Sequence, residues 1–266
     1  MAGQLVCGGI FVNTPYEPSR ALTAKLARKI LPYRARNEIR FHIDRPIVSF
    51  TFDDFPRSAI TNGSDLLETL DWRATFYVAS GLMGTHNHHG EQFNAHNITD
   101  LRERGHEIAG HTFSHSDCDQ MGITKTLAEI ERNTSALEAM GHTLPIEHFA
   151  YPFGAANACL KQALQNQFKT VRGIVPGVHR NKADLNGLYS TPIFSGEKLQ
   201  HALAQIEGLK TSHGWLTLFT HDIRENPSEW GCTPEEFKRI VNAVQATGAL
   251  VLPIGEALQH LEKHRI

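Results

Sequence analysis

From residue 46 onward, short apolar runs alternate with segments whose apolar residues recur at helical spacing. Residues 46–52 and 74–79 predict two strands, with a helix near 63–70 between them. After a loop rich in Gly, His and Asn, Thr99 predicts an N-cap for a short helix over Asp100 to Arg104, closed by Gly105. A strand over 106–109 follows and ends at Gly110. The clearest helix runs from Thr124 to Met140, with Leu127, Ile130, Leu137 and Met140 on one side and Gly141 behind it. Further strands are predicted at 147–151, about 169–174, 215–220 and 249–252, with helices near 156–167, 196–208 and from about 253. Thr233-Pro-Glu-Glu opens one more helix through a cap, a proline at the first position and two early acids. Residues 176–195 carry no clear period.

Seven or eight strand–helix units in a row predict a mainly parallel sheet covered by helices, and their number suits an α/β barrel better than an open doubly wound sheet. The chain divides into an N-terminal extension, 1–45, and a barrel, 46–266. Within the extension, Ser19 can cap a helix bearing Leu22, Leu26 and Ile30, and residues 20–45 hold eight Arg or Lys against Glu38 and Asp44. A basic helix on the outside of the domain is the expectation; contact with an anionic membrane or a lipid-linked substrate is the alternative.

Composition narrows the function classes. With 41% hydrophobic and 20% charged residues among 266, the chain is neither disordered nor fibrous. A net charge of −2 argues against a nucleic-acid partner, which would select a basic face. No run approaches the length of a membrane-spanning helix, and Met-Ala-Gly-Gln-Leu-Val-Cys lacks the basic start of a secretory signal, so a cytoplasmic protein is expected. The near-neutral surface is compatible with a homo-oligomer. Cys7, Cys118, Cys159 and Cys232 are far apart and read as reduced and structural, although Cys118 lies three residues after His115 and a place near a metal stays open.

Sixteen histidines invite a metalloenzyme reading. Two H-x-x-x-H pairs occur, His111/His115 and His260/His264, where roughly one is expected by chance. The second pair sits at the end of the last helix and reads as a solvated terminus. The first follows directly from a strand, as does Asp53-Asp54, and strand ends face the active site in parallel α/β folds. Two imidazoles and one carboxylate make a Zn²⁺ site with room for water. Adjacent aspartates on an extended chain point to opposite sides, so one serves as ligand and the other as a carboxylate able to take a proton. His221, after the strand 215–220, is a candidate acid. Tyr151-Pro-Phe-Gly154 closes another strand and can line the site through its rings or through backbone N–H groups, and Arg172 near a further strand end can pair with a carboxylate or bind an anion. His86, His88 and His89 lie in a polar loop and read as solvated. There is no P-loop, no G-x-G-x-x-G after a strand and no G-x-S-x-G elbow.

In this order the motifs resemble those of the polysaccharide deacetylases of the NodB-homology group. Ser49-Phe-Thr-Phe-Asp-Asp54 resembles the motif T-F-D-D, and His111-Thr-Phe-Ser-His115 resembles H-[ST]-x-x-H. Phe149-Ala-Tyr-Pro-Phe-Gly154 resembles the third motif, and Leu218-Phe-Thr-His221-Asp222 the last. The resemblance implies a distorted (β/α)7 barrel and a divalent metal, usually zinc, held by Asp54, His111 and His115. It implies Asp53 as base toward a metal-activated water, His221 as acid, and the backbone N–H of Phe153 on the oxyanion, with Tyr151 beside it. The reaction implied is removal of an N-acetyl group from an amino sugar or polysaccharide, here one linked to a lipid or nucleotide. Alternatives are a deformylase or imidase, and a silent sugar-binding domain on the same scaffold. Two departures stand out: Ala150 occupies the place of the family's Arg in the third motif, and a D-x-x-D-W-like fourth motif is missing. Arg172 is the expected replacement for that Arg.

Overall fold

Every residue of β1 (Ile47–Asp53) is buried, which its sequence Ile-Val-Ser-Phe-Thr-Phe-Asp dictates, since a strand covered on both faces has no solvated side. Its two hydroxyls are satisfied inside the sheet: Thr51 donates to the Leu218 carbonyl at 2.9 Å, and Ser49 accepts the indole N–H of Trp215 at 2.9 Å. The computed structural model of the protein describes residues 30–266. Cys7 and the expected helix up to residue 29, with Ser19, Leu22 and Leu26, lie outside the described residues.

On one side of β1 follow β2 (Thr75–Val78), β3 (Glu107–Gly110), β4 (His148–Ala150) and β5 (Thr170–Arg172), each parallel to the last. On its other side lies β7 (Trp215–Thr220), which carries β6 (Thr191–Pro192), also in parallel. The short β8 (Leu250–Val251) pairs with the start of β1. The segment before β6 links the two ends of the sheet, because Leu188 exchanges backbone hydrogen bonds with Val171 on β5 and Gly173 just after it. The sheet thereby curls into a distorted (β/α) barrel, the barrel that the alternation predicts and the distorted form that the resemblance implies.

Phenylalanines supply much of the packing between this sheet and its helices. Phe52 meets Phe76 at 4.9 Å and Phe237 at 6.0 Å, and each such fully buried ring contributes about 1.5–3 kcal/mol. The helix Pro234–Gln245 opens with the expected Thr233 cap, here a full capping box: Thr233 accepts from the Glu236 N–H while Glu236 accepts from that of Thr233. One cap differs from expectation. The helix after the His-rich loop is Ala95–Glu103, started by a reciprocal Asn94/Asn97 pair, while the Thr99 hydroxyl bonds the His96 carbonyl inside it. Asn at a cap outranks Thr, and the earlier start adds a turn to the helix.

Residues 38–43, ahead of the expected boundary at 46, are part of the packed body. Glu38–Arg40 pairs antiparallel with Lys182–Asp184, and Ile39, Phe41 and Ile43 are buried beside Ile47, Trp215 and Leu261. No helix among the described residues is long and apolar enough to cross a membrane.

Candidate active site

The C-terminal ends of β1, β3, β4, β5 and β7 deliver Asp53-Asp54, His111, Tyr151, Arg172 and His221. Four residues without the licence of glycine hold left-handed backbone here: Asp54 (φ 55°), Thr112 (φ 57°), His115 (φ 50°) and Phe153 (φ 58°). Each such conformation costs on the order of 1–3 kcal/mol and persists where the surroundings over-determine it. Strain on this scale gathered in one place marks a functional site.

The left-handed turn at Asp54 separates the two aspartates. Strand alternation ends at Asp53, so the turn rather than the pleat sends the carboxylates to different partners. One Nη2 of Arg172 spans both Asp53 oxygens at 2.5 Å each. The guanidinium is fully buried, donates further to Ser190 Oγ and the Gly173 carbonyl, and lies over the Tyr77 and Phe219 rings at 4.7 and 5.0 Å. Burial pushes the Asp53 carboxyl up, but the Arg172 charge, aided by His111 and His221, outweighs it and holds the group below its ordinary value. Of its two expected uses, Arg172 thus takes the carboxylate.

Asp54 turns toward the histidines. Its Oδ1 lies 3.5 Å from His115 Nε2 and 3.8 Å from His111 Nε2, and this oxygen is buried without a hydrogen-bond partner. His111 Nδ1 sits 2.8 Å from the Ala150 carbonyl, which only accepts, so Nδ1 carries the proton and Nε2 a lone pair. Burial first, then neighbouring charge, pulls His111 down to about 4 and His115 down to about 3, leaving both rings neutral near pH 7. Lone pairs of two imidazoles facing an orphaned carboxylate oxygen fit a divalent cation with N and O ligands.

His221 is half-buried, with Nδ1 held 3.0 Å from the Trp230 carbonyl and Nε2 left for proton transfer. The Trp230 carbonyl thereby fixes the orientation of the His221 ring. The Phe153 ring packs edge-on against His115 at 4.4 Å, placing its turn beside the trio. Tyr151 behaves differently. Its ring packs on Phe149 at 5.6 Å in a separate cluster with Cys118, whose thiol burial pushes up to about 12. Neither joins the candidate ligand groups, which among the described residues are two sets of three sharing Asp54. His260 and His264 stack on each other at an exposed helix end, away from both sets.

One residue of the site escaped the reading of the polar loop. His89 is 4% exposed, not solvated: its ring stacks on that of His221 at 4.6 Å with 5° between planes, and Nε2 lies 4.0 Å from Asp54 Oδ2. A hairpin, His86–Asn87 against Gly90–Glu91, puts it there, with the Asn87 side chain accepting the His89 N–H at 2.8 Å. Asn87 and Gly90 three residues apart were the available signal, since that spacing suits a tight turn.

Residues 42–171 match the family model described as polysaccharide deacetylase. The match places that stretch in the polysaccharide deacetylase family. A curated relative, chitin deacetylase 1 of Saccharomyces cerevisiae, is 32% identical over 121 residues, which is 46% of this chain and 36% of the yeast protein. The chain therefore spans about a third of that relative's length. Among solved structures, the chitin deacetylase of Colletotrichum lindemuthianum aligns with a TM-score of 0.59 at 15% identity, over 82% of this chain and 89% of the other. A family 4 acetyl xylan esterase from Clostridium thermocellum, solved with a cobalt ion, gives 0.55 at 24% identity, over 79% and 89%. These likenesses establish the polysaccharide deacetylase fold.

Proposed function

We propose that the protein is a metal-dependent hydrolase that removes an N-acetyl group from an amino sugar. The observation that carries this reading is the meeting of three elements in one cleft: imidazole nitrogens gathered on Asp54, an ionised Asp53 held by Arg172, and His221 held in a fixed orientation. Asp54, His111 and His115 would hold the cation. Bound there, a divalent cation, zinc by its ligand set, supplies a Lewis acid that polarises a carbonyl and acidifies water.

The remaining chemistry belongs to the chain. Asp53, kept ionised by Arg172, accepts the proton of the attacking water. The backbone N–H of Phe153 faces the developing oxyanion. His221, its Nδ1 anchored on the Trp230 carbonyl, gives a proton from Nε2 to the departing amine, and acetate leaves. Beside the Phe153 turn, a cavity of about 320 Å³ lined by Tyr151, Phe153, Ile174, Val175 and Tyr189 supports a substrate with an apolar appendage, such as a lipid-linked sugar.

The test is a substrate panel of N-acetyl sugars and chitooligosaccharides, N-formyl sugars and cyclic ureides, assayed with and without chelator. Acetate release that chelator abolishes is expected. Formate or ring-opened ureide as the only product would instead make the protein a deformylase or imidase. The Arg172–Asp53 pair disfavours a silent sugar-binding domain, because binding alone does not require a buried carboxylate held ionised.

A further inference from the structure

Two contacts set the ring of His221. The Trp230 carbonyl accepts its backbone N–H at 3.3 Å and its Nδ1–H at 3.0 Å, which fixes the edge that faces the loop. A hydrogen bond weakens steeply only below about 120°, so this one alone leaves the ring room to tilt. The second contact is on the face of the ring, where His89 lies against it at 4.6 Å with 5° between planes. Parallel rings direct their in-plane nitrogens side by side rather than at one point, so the pair orients His221 and does not converge on a common ligand.

One carboxylate stands behind both contacts. Asp222 is fully buried, and its Oδ1 lies 3.1 Å from His89 Nδ1. Because a carboxylate only accepts, His89 donates there, and the bond holds its ring flat against His221. Asp222 also accepts from the Ser228 N–H at 2.8 Å and from the Ser228 hydroxyl at 2.6 Å. Ser228 Oγ in turn accepts the Trp230 N–H at 3.2 Å, so the same carboxylate shapes the loop that presents the Trp230 carbonyl. Arg224 donates to Asp222 at 2.8 Å and to the His88 carbonyl at 2.6 Å, which ties the His86–Glu91 hairpin to this loop.

We propose that His89 and Asp222 are positioning residues for the acid: the His89 ring and the Trp230 carbonyl, both anchored on Asp222, hold His221 so that its Nε2–H points at the departing amine. The inference rests on the acid role proposed above for His221. A general acid works only within hydrogen-bond reach of the atom it protonates, so a tilt that moves Nε2 by about 1 Å costs about 100-fold in rate. The defect is one of proton delivery rather than of substrate binding, so it falls on kcat and not on KM.

Kinetics with two leaving groups, together with the ¹⁵N spectrum of the His221 imidazole, test it. In His89→Ala, kcat for acetate release from an N-acetyl sugar should fall about 10–100-fold, with KM and bound metal little changed. His89→Phe, which restores a flat ring, should recover part of the loss; His89→Asn, which keeps a donor toward Asp222 but no ring, should not. Asp222→Asn should cost at least as much as His89→Ala, and the double variant little more, because both act through one ring. On 4-nitrophenyl acetate, whose phenolate leaves without a proton, the fall should be about tenfold smaller. The Nδ1–H signal of His221, single and sharp in the wild type, should broaden or split in His89→Ala. Wild-type kcat in His89→Ala, equal losses on amide and ester, recovery by His89→Asn instead of His89→Phe, or an unaltered His221 signal would overturn the proposal. A wild-type protein that releases no acetate from any amino sugar, with a His221 signal that still broadens in His89→Ala, would instead sink the deacetylase reading and leave the positioning of His221 standing.

Discussion

Arg172 stands directly beside Ala150 in the register of β4 and β5, and from there its guanidinium reaches Asp53. Neighbouring parallel strands are about 4.8 Å apart and present aligned residues to the same face. A long side chain can therefore move one strand across and still meet the same carboxylate. Both positions border Tyr77, whose ring packs with Ala150 in one cluster and lies under the Arg172 guanidinium. Arg172 thus meets from β5 the carboxylate that an Arg at position 150 of β4 was expected to meet.

Arg172→Ala should therefore affect folding and turnover together. Removing one partner of a buried ion pair costs about 3–5 kcal/mol, which denaturant unfolding measures directly. In the fraction that stays folded, loss of the group that holds Asp53 should lower kcat by about 100-fold or more. Arg172→Lys should recover stability better than rate, because an ammonium restores charge without the planar fork. The double variant Ala150→Arg/Arg172→Ala should regain at least tenfold of the lost kcat. Wild-type kcat in Arg172→Ala would refute the positioning role.

Acid should destabilise the metal-free protein well before the carboxylates titrate. His89 and His111, at about 4, and His115 and His179, at about 3, lie below the ordinary histidine value, mainly through burial. Between about pH 6.5 and pH 4 the unfolded chain holds these protons and the folded one does not, so stability falls as pH falls. The slope should approach about 1.4 kcal/mol per pH unit for each such histidine, and flatten below their folded values. Equilibrium unfolding of chelator-treated protein at several pH values measures it. His111→Gln should reduce the slope by about one histidine's share; an unchanged slope would count against a neutral buried ring at that position.

Much of this site was legible from strand ends, because the chemistry in a parallel barrel sits where hydrophobic runs stop. Asp53, Asp54, His111, His221 and Arg172 each end or follow such a run, and periodicity located every one of those runs within a few residues. His89 was not legible in this way. It enters through a two-strand hairpin rather than a sheet strand, and its burial depends on Trp230 and Asp222, some 130 residues away in sequence. The Trp230 carbonyl that orients His221 left no trace either, since a backbone acceptor has no residue signature. Tyr151 and Phe153 part after their strand: the turn at Phe153 (φ 58°) brings that ring to His115, while Tyr151 packs on Phe149 and lines the neighbouring cavity.

The two aspartates should separate cleanly by mutation. Asp53→Asn keeps the shape and can still hydrogen-bond Arg172, but it cannot take a proton, so kcat should fall by about 10²–10⁴-fold with bound metal retained. Asp54→Asn removes the charge that His111 and His115 face, so bound metal should fall below half an equivalent and activity should go with it. Excess metal should restore part of the rate in Asp54→Asn and none in Asp53→Asn, because only the first defect is one of affinity. Metal analysis beside acetate release decides the matter. If Asp53→Asn lost its metal while Asp54→Asn kept it, the roles assigned to the two neighbours would be reversed, and the left-handed turn at Asp54 would need a different explanation.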